Sequence, residues 1–554
     1  MSLAMRRQEL DGSRLAWLCE VTVRGRVFRF ASEALDVLDE DGDALSFDGT
    51  LDPLEFVDEG DPWEDTVSER ALSCAVTFQA AGDEGFGYLT SVDHDLGDAR
   101  AEVSLHKVGN DYEDRVVLLE GLVDEPEWAG PSEPVVFSIR EAAQLDRGSI
   151  PHPVAQVTSE SWPTAGGYAP DDAIVGEFYP VPVGRPGQLV GGLTENTGSP
   201  ALLVKLDTAT EDNSANPATV LIGDGLLTCV GSTVLLQNLS TGNSATVSPT
   251  ATTDTLGREV TTVDVAVGTL AIAKGAKLWV SFRTANSGGL PGPRDGTLEG
   301  AGEVIRWLLG RSTRRVDTDS LKANVERLNA YLLAFYANSP KSPSSILLDE
   351  VLPLLPASPV LGPRGLSVAH WRLDARHEDK VAHLDLDEER GFLEQLSRTS
   401  SSEVANVLGI DFCHDPSAGS HRLSLTFGPK GWADAPGGYE AHPLCSASHT
   451  RYKAPDGSPL VGERIETALV EDVGTAASML QAATLRRCGT HLVGVASGLS
   501  QRWQSLTPGD VITVTSSRHN WSSVLCLVTR VIRGPGDTDL GLLSPNNWIR
   551  TAPE

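Results

Sequence analysis

Basic residues are scarce in this sequence: 44 Lys and Arg stand against 76 Asp and Glu over 554 residues, a formal net charge of −32. Neutralising phosphates takes clustered Lys and Arg, so the balance argues against a general nucleic-acid-binding surface. It argues equally against attachment to anionic membranes. Long hydrophobic runs are missing as well. No stretch approaches the ~18 apolar residues of a membrane span, and the N-terminal MSLAMRRQELDGSRLAWLCEV has no uninterrupted apolar core for a signal peptide. The expectation is a soluble chain made in the cytosol. The seven cysteines (Cys19, Cys74, Cys229, Cys413, Cys445, Cys488 and Cys526) are an odd number, widely scattered, mostly in apolar contexts such as LSCAVTF and SVLCLVT. They read as small buried hydrophobes of a reducing compartment.

Catalytic motifs are equally absent. There is no P-loop, no GxGxxG after a strand, no HExxH and no GxSxG. The acidic run LDVLDEDGDALSFDG fails as an EF-hand, because Val37 would fall at the first ligand position; it reads as a hairpin turn. Cys413-His414, with His442, Cys445 and His449 further on, holds soft ligands at local spacings plausible for zinc. The halves are far apart and no CxxC anchors either, so buried thiols and loop histidines are the plainer reading. The loop Asp58 to Asp65 combines carboxylates with Trp63, as sugar-cleaving sites do, but one acidic loop does not supply two carboxyls at a fixed separation. Arg311, Arg314 and Arg315 form the densest basic patch, beside Asp317 and Asp319 that can pair with them. No catalytic residue, cofactor or metal is expected.

What the sequence does contain is globular: 40% apolar and 22% charged residues, with 54 Gly and 33 Pro to punctuate many short strands. The length implies roughly three to five domains. Short alternating runs from residue 14 to 140, such as RLAWLCEVTVRGRVFRFAS and ARAEVSLHKV, predict antiparallel β-structure with a hairpin tip at Lys107–Asp114. A Pro-rich tie follows, including GEFYPVPVGRPG, and then a second β region from Ala201 to Phe282. Gly302 to Ala337 predicts the clearest helical stretch. Val304, Trp307 and Leu308 share one face; Leu321, Val325, Leu328, Leu332 and Phe335 continue the stripe, and Asn338-Ser339-Pro340 supplies a stop. Beyond it, EERGFLEQLSR predicts a short helix. ETALVEDVGTAASMLQAATLRRCG predicts a longer one, with Val473, Ala476, Ala477, Leu480 and Leu485 on one side. The fold class is mainly β with an α-rich middle.

Several stretches, in order, resemble the tail-tip (baseplate) hub proteins of long-tailed bacteriophages and phage-like gene transfer agents. They are EDRVVLLEGLVDEPEW with PVVFSIRE; FYPVPVGRPG; DTLGREVTTVDV; GAGEVIRWLLGRSTRRVDTDSLKANVERLNAYLL; SSSEVANVLGIDF, with Asn406 in a variable-Asn-variable strand; and WQSLTPGDVITVTSS with VLCLVTRVIRG. The resemblance implies a homotrimeric ring with two tube-protein-like β-barrels per chain, located at the virion's tail tip after assembly in the host cytoplasm. It implies a hub β-barrel over 1–149, a connector and β insertion over 150–295, an α-rich domain over 296–400 and a second barrel over 401–554. Implied partners are the distal tail protein or tail tube ring, the tape measure protein C-terminus, and a tail fibre, spike or tip protein. DNA would pass only in transit, without specific binding, and no stable membrane insertion is implied. The interface candidates are Asn110 and Tyr112 at the hairpin tip; Tyr179, Pro180, Gly184 and Arg185 in the connector; Arg311, Arg314 and Arg315; and the turn Pro508, Gly509 and Asp510. An alternative is a carbohydrate-binding or carbohydrate-degrading tail-tip protein, on the strength of eleven Trp and the loop bearing Trp63 and Glu64.

Overall fold

Alternation is visible from the first strand. Trp17, Cys19, Val21 and Val23 of Leu15–Val23 face one core. Leu18 points the other way, into a second cluster with Ala31, Val37 and Phe47. The computed structural model describes residues 14–23, 25–52, 56–59, 71–76, 99–123, 135–141, 149–162, 174–184, 198–206, 217–225, 227–229, 233–281, 284–286, 298–311, 316, 318–362, 365–415, 419–534 and 537–545. Within them the protein is predominantly β and divides among several hydrophobic cores.

The N-terminal sheet has six strands. In chain order they are Leu15–Val23, Arg26–Ala31, Ala71–Val76, Arg100–Lys107, Val116–Val123 and Val135–Glu141. In space the order is second, first, fourth, fifth, sixth, third, with every pairing antiparallel. The acidic run forms the hairpin Leu35–Leu38 with Ala44–Phe47, as its turn chemistry predicts. Asp39 Oδ1 accepts from the backbone N–H of Asp41 and Asp43, and Gly42 supplies the positive φ of +83°.

The middle sheet has seven antiparallel strands lying between Ser199 and Ser281. Val220 and Ile222 face its main core, whereas Leu221 between them faces Ala155, Val157 and Tyr179 of the Pro-rich tie. The tie therefore packs along the back of this sheet. It also forms a strand of its own: Val181–Val183 pairs antiparallel with Phe335–Ala337.

That pairing corrects the helical expectation for Gly302 to Ala337. Helix α1 is Ala301–Arg311 and helix α2 is Thr318–Leu328, so the helical path ends well before Asn338. Asn329 Oδ1 accepts from the N–H of Glu303, Ala301 N–H reaches Tyr331 O, and Leu333 N–H reaches Glu299 O. These bonds turn the chain back on α1, and Phe335 continues as strand. The two helices meet closely, since a Cβ on Gly302 would stand 2.1 Å from Val325 O. EERGFLEQLSR also differs from expectation. Its helix is one turn, Leu386–Glu389, ended by Arg390 at φ +59°, and Phe392–Arg398 is a strand paired with Leu492–Leu499.

The C-terminal sheet takes Ala382–Asp385, Phe392–Arg398, Leu492–Leu499, Val511–Ser516, Trp521–Arg533 and Thr538–Ser544. Their spatial order is first, fourth, fifth, sixth, third, second. A seventh strand, Phe56–Glu59, comes from the N-terminal part of the chain and pairs antiparallel with Arg530–Arg533. Val407–Asp415, expected to open a second barrel, instead lies in a separate four-stranded sheet. There it pairs with Ser420–Gly428 and, in parallel, with Val461–Glu466. The physical reason is its core. Ile410 and Phe412 pack in one cluster with α1, α2 and the helices α3 (Pro443–Arg451) and α4 (Val473–Arg487), whereas the residues of 382–393 pack with those of 496–542. On α4 Ala476 and Leu480 are buried as predicted, together with Met479 and Thr484, while Val473 is exposed.

Candidate interface residues

At the hairpin tip Gly109 has φ +99° and open space around it, and Asn110 is exposed, its amide 3.3 Å from Asp114 Oδ2. Tyr112 behaves differently. Its hydroxyl donates to the Glu20 carboxylate, and the Arg115 guanidinium lies 3.6 Å from its ring centroid. Arg115 Nε is 3.0 Å from Glu102 Oε1, and Arg29 Nε is 2.7 Å from Glu20 Oε1. Burial pushes the Tyr112 phenol well above its ordinary range, helped by Glu20, and burial likewise raises Glu102 against the pull of Arg115. The Tyr112 side chain thus fastens the tip to the sheet, and Asn110 is what the tip presents to solvent.

In the connector Tyr179 is fully buried. Its hydroxyl donates to Asp254 Oδ2 at 3.0 Å and accepts from Trp162 Nε1 at 3.0 Å. The other Asp254 oxygen accepts from the backbone N–H groups of Leu256 and Arg258, both at 2.9 Å. Arg258 in turn makes a two-pronged contact to Asp224 at 2.9 and 3.0 Å, and Asp224 N–H donates to Pro180 O at 2.9 Å. Burial first, then the Asp254 charge, lifts the Tyr179 phenol to about 12. Gly184, at φ +82°, passes so close to the Leu333 carbonyl that a Cβ would stand 1.9 Å from its oxygen. Arg185 lies outside the described residues, as do Arg314 and Arg315.

Arg311, at the end of α1, is half-buried with its guanidinium 4.8 Å from the Trp307 ring centroid; burial lowers its pKa. The turn at Pro508 is closed locally. Thr507 N–H donates to Asp510 Oδ2 at 2.9 Å, Gly509 N–H reaches Val528 O at 2.8 Å, and Gly509 takes φ +92°. Asn406 is buried, its side chain donating to Tyr452 O and accepting from Leu460 N–H, both at 2.7 Å.

The soft ligands have separate partners. Cys413 Sγ donates to Glu471 O at 3.2 Å, with its thiol pushed up to about 12 by burial. His414 stacks edge-on against His421 across the strands at 5.3 Å between centroids. Cys445 lies 3.8 Å from Cys488, a neighbour that the zinc spacing did not contain. Among the described residues, no three His, Cys, Asp or Glu are arranged to hold a metal ion, and no helix is long and apolar enough to cross a membrane. Asp58 and Glu59 sit in the strand on the C-terminal sheet, and Trp63 and Glu64 lie outside the described residues. That strand was missed from sequence, where VDEG read only as an acidic loop.

No family model matches the chain, and no curated protein matches it. Among solved structures it is similar to the tail protein from Neisseria meningitidis MC58, at 11% identity, 97% coverage of this chain, 99% of that one and a TM-score of 0.33. It is similar also to the 43 kDa tail protein of prophage MuSo2 from Shewanella oneidensis, at 10% identity, 96% and 98% coverage and a TM-score of 0.33. Prophage tail protein gp18 from Listeria monocytogenes EGD-e aligns at 8% identity, 94% and 98% coverage and a TM-score of 0.28.

Proposed function

We propose that this protein is a structural tail-tip hub of a long-tailed phage or phage-like gene transfer agent, acting as a homotrimer and without enzymatic activity. The observation that carries the reading is a shared strand order. Read round a ring, the N-terminal and C-terminal sheets both run first, fourth, fifth, sixth, third, second. They differ in where the ring is open: between the second and third strands in one, between the first and second in the other. They differ also at the first–fourth pairing, antiparallel in one and parallel in the other. In both, the link from second to third strand carries the additions: a hairpin and the donated strand in the first case, the four-stranded sheet with α3 and α4 in the second. Two barrel modules of related order in one chain make a trimer a ring of six modules, the symmetry that joins a hexameric tube above to a threefold tip below. The ordered sequence marks support the same reading.

In this reading the ring binds the distal tail protein or tube on one face, the fibre, spike or tip protein on the other, and the tape measure C-terminus within. A charge of −32 on each chain disfavours DNA adhesion in a lumen that DNA must cross. Partner contact falls to Asn110, Arg185, Arg314 and Arg315. Tyr112, Tyr179, Pro180, Gly184, Arg311, Pro508, Gly509 and Asp510 serve the subunit's own packing. Light scattering after size exclusion, with antibody labelling of particles, tests the reading. A mass three times that of the chain and label at the tail tip are expected; a stable monomer absent from particles refutes it.

A further inference from the structure

The zinc spacing that the fold left unused contains a different arrangement. Cys445 stands in the first turn of α3, directly after Pro443 and Leu444. Cys488 caps the C-terminal end of α4, its N–H on Thr484 O at 2.9 Å. The two sulfurs are 3.8 Å apart, Cys488 donating to Cys445, and both residues have no solvent exposure. His442, the N-cap of α3, is clamped beside them. Its ring stacks on Phe427 at 4.8 Å between centroids and 13° between planes, and its Nε2 is 2.6 Å from Gln481 Oε1. An amide oxygen can only accept, so Nε2 carries a proton. Nδ1 is buried and has no hydrogen-bond partner.

These contacts treat the two sulfurs unequally. The Cys488 thiol and the His442 imidazole favour negative charge on Cys445, and the N-terminal end of α3 adds to them. The same hydrogen bond and deep burial hold Cys488 in its protonated form. One sulfur is prepared as a nucleophile and the other stands against it as its resolving partner.

We propose that Cys445 and Cys488 form a redox dithiol that a peroxide-class oxidant closes to an intrachain disulfide. The Cys445 thiolate attacks one peroxide oxygen and breaks the O–O bond, giving a sulfenic acid and hydroxide. The Cys488 sulfur then displaces the sulfenic oxygen as hydroxide, forming the S–S bond. The thiol protons of both cysteines, passing by way of His442, convert the two hydroxides to water. Two thiols are oxidised and one peroxide is reduced to two waters. Closing the gap to a bonded length of about 2.05 Å needs a movement of roughly 1.8 Å, within reach of a side-chain rotation at the end of α4. The product ties the start of α3 to the end of α4 and encloses the strand Val461–Glu466. This inference stands apart from the hub reading, because it rests on the sulfur pair and not on assembly.

The test is peroxide treatment of the full chain, followed by intact mass and non-reducing peptide mapping. A loss of about 2 Da and a Cys445–Cys488 cross-linked peptide are expected, both reversed by dithiothreitol. Cys488→Ser is expected to stop at a sulfenic acid on Cys445 that dimedone traps. Cys445→Ser leaves Cys488 unmodified, and His442→Gln slows closure at neutral pH by about tenfold. Sulfenic acid trapped first on Cys488, or no cross-linked peptide at peroxide levels that oxidise a methionine-containing control peptide added to the same solution, overturns the proposal. The mapping on unaltered protein decides the matter even if a serine variant does not fold.

Discussion

Removing the Tyr179 hydroxyl should be far more costly than its single oxygen suggests. Tyr179→Phe keeps the ring and its packing against Leu221 and Val260. It deletes a buried donor to the Asp254 carboxylate and an acceptor for Trp162 Nε1, each at 3.0 Å. A hydrogen bond to a charged acceptor contributes ~1.5–3 kcal/mol. Asp254 keeps two backbone donors, so its charge is not orphaned. Trp162 is only part-buried and can turn to water, which adds at most ~1 kcal/mol. The expected loss is about 2–3 kcal/mol, or roughly 30- to 150-fold in the opening equilibrium of this region. With its phenol raised to about 12, the group stays a donor throughout neutral pH. Peptide-resolved hydrogen exchange reads the effect where it belongs. Protection should fall in Pro217–Asp224 and Glu259–Ala266, and stay unchanged in Arg100–Lys107 of the N-terminal sheet as an internal control. A change below about 0.5 kcal/mol in the two middle strands refutes the reasoning, as does an equal loss in all three.

Gly184→Ala should separate Val181–Val183 from Phe335–Ala337, since its Cβ would stand 1.9 Å from Leu333 O in a backbone at φ +82°; exchange in both strands and a lowered unfolding midpoint would register it. His370 gives a pH dependence. Burial first, then Arg327 and Arg372, lowers its pKa from 6.5 to about 4. The unfolded chain therefore takes up a proton before the folded one does, and stability falls as pH drops from 6.5 towards 4, by about 2–3 kcal/mol in all. In His370→Gln, urea titrations across that range should show a slope shallower by this amount. Tyr112→Phe should lose only about 1 kcal/mol in denaturant titration, because Glu20 keeps Arg29 and the site is half-buried.

Strands were legible wherever alternation met punctuation, as in Leu15–Val23 and in the hairpin around Gly42. The spacing at Leu321, Val325 and Leu328 gave a true helix, all three being buried. What misled was the continuation of the same spacing into Leu332 and Phe335, where the deciding partners are Glu299 and Val183, remote in sequence. Phe392–Arg398 was lost for a similar reason, since its partner strand begins at Leu492 and its own side chains are mostly exposed. Sequence spacing also set Cys445 beside its local histidines, and only the meeting of two helices reveals Cys488. Gly184 and Gly509, named as interface candidates, both take the positive φ of a tight turn. The reading missed that Tyr112 and Tyr179 have their hydroxyls committed within the subunit.

The strand Phe56–Glu59 also imposes an order of events on synthesis. Its partners, Arg530–Arg533, leave the ribosome more than four hundred residues later than it does. Most of the N-terminal sheet can form as soon as Val135–Glu141 has emerged, but this strand must wait unpaired until almost the whole chain exists. Its sequence, FVDE, ends in two adjacent acidic residues, whose charge limits the hazard of an open strand edge during that delay. When it docks, one strand from the first part of the polypeptide is hydrogen-bonded into the sheet built by the last part. From then on, pulling on either end loads a sheet instead of a hinge.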